Sequence, residues 1–95
     1  MAFTETDAVE LILAELKRAK EQHPIWPTDP IHAAAIINEE AGELIQAAND
    51  YTYDRENARS TMIEESVQVG AMAIRFLTNI GKYSADRSRV VDDSQ

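Results

Sequence analysis

The stretch MIEESVQVGAMAIRF, residues 62–76, carries the reading that decides the fold. At about 100° per residue, Met62, Glu65, Val69, Met72 and Phe76 fall on one side of a helix. Four of the five are apolar, so this side reads as a core face. Glu65 is the anomaly, because a carboxylate among core residues is costly unless its charge is compensated. The fold and the chemistry both turn on what Glu65 faces.

Outward from this stretch, the third helix is predicted to run from Asn57 or Ala58 to Ile80, with Gly81 as its C-cap. A second helix opens at TDP, where Asp29 suits the N-cap and Pro30 the first helical position, and it continues to about Asp50. Ile37, Ala41, Leu44, Ala48 and Tyr51 form its expected apolar side. A first helix starts at Thr4 or Thr6 and reaches Gln22, presenting Val9, Leu11, Ile12, Leu13 and Leu16. It closes at HPIWP, where two prolines block continuation. Nothing alternates with period two long enough to predict a strand. The expected architecture is a single all-α domain over residues 1–83, with a polar, disordered tail at 84–95.

Ninety-five residues bury surface inefficiently, and 44% of them are hydrophobic. Three helices offer more apolar area than they cover alone. The expected form is therefore a helical hairpin or bundle completed by homo-oligomerisation, as a dimer or tetramer. The formal charge of −8 argues against nucleic acid or an anionic membrane surface as the main partner. Charges interrupt the apolar pattern of the N-terminal segment, which reads as neither a signal peptide nor a span, so a cytoplasmic protein is expected. No cysteine is present, which removes thiolate and disulfide chemistry.

The second helix carries NEEAGEL, with Glu39, Glu40 and Glu43. Residues three or four apart on a helix are neighbours, so Glu40 and Glu43 can converge on one point with Glu39 nearby. In the third helix, EESVQ places Gln68 three residues after Glu65. If the two helices form an antiparallel hairpin, Glu40, Glu43 and Glu65 offer oxygen ligands, to which Gln68 adds an amide oxygen. Such a set suits Mg²⁺, with Mn²⁺ as the second choice. Magnesium often shares its shell with substrate phosphates, which points to phosphate-ester or anhydride chemistry. The competing readings are a solvated acidic face and an internal salt bridge from Glu65 to Arg75 or to a lysine of the first helix. A di-iron carboxylate site is excluded, since neither Glu43 nor Glu65 has a histidine three residues on.

EEAGE at 39–43 and EESVQ at 64–68, on consecutive helices, resemble the EExxE and ExxD motifs of the MazG-like all-α nucleoside triphosphate pyrophosphohydrolases. The likeness spans roughly residues 26 to 80. It implies Mg²⁺-dependent hydrolysis of a nucleoside or deoxynucleoside triphosphate to the monophosphate and pyrophosphate, in nucleotide-pool control. Glu40, Glu43 and Glu65 match metal ligands in these motifs, and Glu39 and Glu64 match the acids that precede them. Gln68 departs from the pattern, standing where the motif has aspartate. An amide oxygen brings no charge, so a second cation would be held more weakly.

A triphosphate also requires contacts from the protein. Arg75 lies near the line of Gln68 and is a phosphate candidate, with a structural ion pair as the alternative. Trp26 is a stacking candidate or a hydrophobic plug at the helix junction. His32 and Asn79 are further substrate candidates, while Arg55, Arg59 and Lys82 read as solvated and His23 as helix-end punctuation. Two rivals to the enzyme follow: a catalytically weak or inactive module of the same fold that binds nucleotide or metal, and a helical dimerisation protein.

Overall fold

The computed structural model describes residues 3–53 and 58–84. Within them the chain is all-helical: α1 (Glu5–Gln22), α2 (Pro30–Tyr53), α3 (Ala58–Thr78) and a short 3₁₀ turn, Ile80–Lys82. None of these helices is long and apolar enough to cross a membrane. The tail expected after Ser84 and the candidate Arg55 lie outside the described residues.

Local chemistry sets the helix ends. Thr4 caps α1 through a reciprocal box: its hydroxyl accepts from the Asp7 amide at 3.0 Å, and the Asp7 carboxylate accepts from the Thr4 amide at 3.1 Å. The helix stops at His23, which precedes Pro24 and leaves helical φ/ψ. Asp29 caps α2 as expected, accepting from the Ile31 amide at 3.0 Å. Two boundaries differ from expectation. Helix α2 continues to Tyr53 rather than Asp50, and α3 ends at Thr78, with Gly81 inside the 3₁₀ turn instead of at the cap.

Helix α3 is central. It packs against α2 on one side and α1 on another, while the backbones of α1 and α2 do not approach each other closely. Helices α2 and α3 run antiparallel, since Glu40 and Glu43 meet Glu65 while Ile36, earlier on α2, packs against the cluster of Ala19, Ala71 and Met72, later on α3. On α2 the covered positions include Ala33, Ile37, Glu40, Leu44 and Ala47, with Pro30, Ile36 and Ala41 half-buried beside them. On α3 they include Ala58, Thr61, Glu65, Gln68, Met72 and Arg75. Both rows advance by alternating steps of three and four residues, the 3.5-residue period of a coiled-coil seam. That period corrects the expected apolar side of α2: Ala48 and Tyr51 are exposed, and Ala47 takes the buried place. It also moves Glu40 from the border of the apolar side onto the seam.

The core is built from small residues. Ala19, Ala33, Ala47, Ala58, Ala71 and Met72 are its buried apolar members, and alanine lets helix backbones approach closely. Gly70 does the same where α1 crosses α3. A Cβ there would lie 2.7 Å from the Ile12 Cδ1 atom and 3.0 Å from its Cγ1. Larger apolar residues remain outside, among them Val9, Leu13, Ile45, Tyr51 and Leu77.

The connection from α1 to α2 is tied down at the far end of α3. Arg75 is 5% exposed and donates to the His23 carbonyl at 2.5 Å. Its guanidinium lies 4.9 Å from the centre of the Trp26 ring, a cation–π contact. The Trp26 indole donates to the Tyr83 hydroxyl at 2.8 Å, which in turn donates to the Phe76 carbonyl at 3.0 Å. The Ser84 amide closes the knot on the Thr28 carbonyl at 2.9 Å.

Candidate metal centre and adjoining cleft

Glu40, Glu43 and Glu65 each place a carboxylate oxygen within 4.8 Å of the other two. Helix α2 supplies the first pair through its three-residue spacing, and the antiparallel seam brings Glu65 opposite. Glu43 stands at the exposed edge, while Glu40 and Glu65 are half-buried. One oxygen of Glu40 and one of Glu65, both Oε2, are sealed from solvent without any hydrogen-bond partner. A buried polar atom left unpaired is costly, and most such atoms in proteins find a partner.

The electrostatics agree with the packing. Burial, reinforced by the nearby Glu43 and Glu65 carboxylates, pushes Glu40 from its ordinary 4.5 up to about 7. Burial and Glu43 also raise Glu65. Among the described residues no cation compensates the pair. The ion pair with Arg75 considered for Glu65 is not formed, because the guanidinium is engaged by the His23 carbonyl and Trp26. The donor set is all oxygen and its charge uncompensated, which fits a hard divalent cation held by Glu40, Glu43 and Glu65.

A cleft of about 470 Å³ adjoins the cluster, between α1 and α2 and floored by α3. It is lined by several of the residues singled out from the sequence: Glu39, Glu40, Gln68, Trp26, His32 and Arg75. Glu39 is exposed and stands apart from the group of three. Gln68 also borders a second groove, between α1 and α3, beside the exposed Glu64. Arg75 reaches the cleft with its guanidinium already committed. Asn79 is placed elsewhere: its amide donates to the Arg75 carbonyl at 2.8 Å, and it lines a different pocket with Lys20 and Lys82.

Two charged cleft residues escaped the sequence reading, Glu15 and Arg18 of α1. Their i, i+3 spacing signals an ion pair, but nothing local places that pair across from the acids of α2. Their proximity to the cleft depends on how α1 docks on α3. No family model, curated protein or solved structure matches the chain.

Proposed function

We propose that this protein is a divalent-cation-dependent nucleoside triphosphate pyrophosphohydrolase, hydrolysing a nucleotide triphosphate to the monophosphate and pyrophosphate in the cytoplasmic nucleotide pool. The observation that carries the reading is the pair of unpartnered, solvent-sealed oxygens of Glu40 and Glu65, on facing helices beside a nucleotide-sized cleft. The resemblance of EEAGE and EESVQ to the MazG-like motifs supplies the reaction class.

In this reading Glu40, Glu43 and Glu65 would hold Mg²⁺ or Mn²⁺, which would supply charge neutralisation for phosphoanhydride hydrolysis. The protein's own groups do the rest. Glu39, exposed at the cleft and outside the cluster, is the carboxylate placed to orient or deprotonate the attacking water. Trp26 and His32 offer apolar and polar surface to the rest of the nucleotide. The apolar side chains left exposed on α1 and α3, such as Val9, Leu13 and Leu77, support assembly with a second copy.

A second reading, a nucleotide-binding module with weak or no turnover, is favoured by one feature: Gln68 lines the cleft where the motif has aspartate. Incubation with a panel of nucleoside triphosphates and Mg²⁺ decides between the two. The enzyme releases monophosphate and pyrophosphate, and Glu43→Ala, at an exposed position, abolishes this without unfolding the protein. Stabilisation by nucleotide without product supports the binding module. Absence of both effects returns the chain to a helical assembly protein. Gln68→Asp is expected to raise Mg²⁺ affinity or rate.

A further inference from the structure

We infer that Arg18 of α1 is an anion-binding residue that receives the phosphate end of the substrate across the cleft from the acidic cluster. The inference rests on the function proposed above and assigns a role to a helix outside its motifs. The cleft has two opposed walls. Helix α2 contributes Glu39 and Glu40, and α1 contributes Glu15 and Arg18. A triphosphate carried by a cation at the acids must find N–H donors for its remaining oxygens. The chain as a whole, at −8, repels it.

Among the described residues, two guanidinium groups line the cleft, Arg18 and Arg75. Arg75 is 5% exposed, bonded to the His23 carbonyl and stacked on Trp26. Moving it would untie the α1–α2 connection. The Arg18 side chain is 51% exposed, so a ligand can reach it.

Arg18 is also held in place. Its Nε donates to one oxygen of Glu15 at 2.8 Å, and a terminal nitrogen donates to the other at 2.6 Å. Its second terminal nitrogen donates to the Gln22 amide oxygen at 2.9 Å. Glu15, at 15% exposure, is the more buried partner and fixes the orientation. A guanidinium has five N–H donors. These three contacts leave two, one on each terminal nitrogen, and a fork of that kind suits two phosphate oxygens. Glu15 is accordingly a positioning residue, and its charge is already neutralised before substrate arrives.

The test compares wild-type protein with Arg18→Gln and Arg18→Lys in steady-state hydrolysis with Mg²⁺. Arg18→Gln is expected to raise KM at least tenfold, with Arg18→Lys recovering part of the loss. Binding of Mn²⁺ alone should be the same in all three, since Arg18 is outside the acidic cluster. The exposed pair contributes little to stability, so circular dichroism should report an unchanged fold. Wild-type turnover with an unchanged KM in Arg18→Gln overturns the inference and leaves the proposed function standing. If the wild type does not hydrolyse nucleotide, titration with inorganic tripolyphosphate and Mn²⁺ decides separately. Binding that Arg18→Gln weakens tenfold sustains the anion site, whereas no binding, or equal binding, overturns it.

Discussion

Arg75 and Glu65 stand ten residues apart on α3, on the same seam against the rest of the molecule. Both are charged groups in places that usually hold leucine or valine. Arg75 has a carbonyl acceptor, an aromatic face and a location where three chain segments meet. Glu65 has an oxygen with no partner at all, facing two more carboxylates. The first charge is compensated by the fold itself and holds the fold together. The second has no compensating cation among the described residues. Burial alone therefore does not separate these two charges; what separates them is whether their hydrogen-bonding capacity is satisfied.

The largest effect expected from breaking this contrast is on the satisfied side. Arg75→Ala removes the anchor of the His23 carbonyl and one face of the Trp26 contact, and should cost about 2–4 kcal/mol of stability by urea denaturation. A loss under about 0.5 kcal/mol, the range of ordinary surface changes, would mean that the knot around Trp26 holds without it.

On the unsatisfied side the sign reverses. Glu65→Gln or Glu40→Gln removes like-charge repulsion, so each variant should melt a few degrees higher than wild type without divalent cations, while losing Mn²⁺ binding. A lower melting temperature in both variants would contradict the picture of a strained acidic cluster. Burial, together with this repulsion, sets a pH dependence. Glu40 releases its proton near 7 in the folded protein but near 4.5 when unfolded. Between these values the unfolded chain binds fewer protons, so stability from this group falls as pH rises through the window and levels off above it. Mg²⁺ or Mn²⁺ requires the deprotonated ligands, so its stabilising effect should be larger at pH 8 than at pH 5. Equal stabilisation by metal at both pH values would place the cation elsewhere.

The smallest effect sharpens the ground between the two charges, where α1 crosses α3. Gly70→Ala gains helix propensity worth roughly 1 kcal/mol. It also drives a methyl group against Ile12, whose branched side chain has little freedom to move. Overpacking of this kind costs about 1–3 kcal/mol, so a net loss of about 1 kcal/mol is expected from thermal denaturation. A net gain would show that α1 can shift on α3, and with it the α1 wall of the cleft.

Much of the molecule could be read from local chemistry. Thr4, Asp29 and the prolines around Trp26 marked helix boundaries because capping and φ restriction act over three or four residues. Glu40, Glu43 and Glu65 could be grouped because helix periodicity and one antiparallel hairpin suffice to bring them together. The exposure of Ala48 and Tyr51 was not legible, because an isolated helix gives no reason to prefer a 3.5-residue seam over a 3.6-residue face. The fate of Arg75 was equally hidden, since its acceptor is 52 residues away along the chain.

The sequence by itself determined three helices, their limits to within a few residues, and an acidic motif that repeats on consecutive helices. Those features depend on interactions between near neighbours in the chain. Only the tertiary structure decided which charges are satisfied. It tied Arg75 to His23 and Trp26, sealed the oxygens of Glu40 and Glu65 without partners, and brought Glu15 and Arg18 into one cleft with Glu39 and Glu40. Each of these outcomes depends on how α1 and α2 pack on α3, and burial and long-range partners come into being only when helices meet.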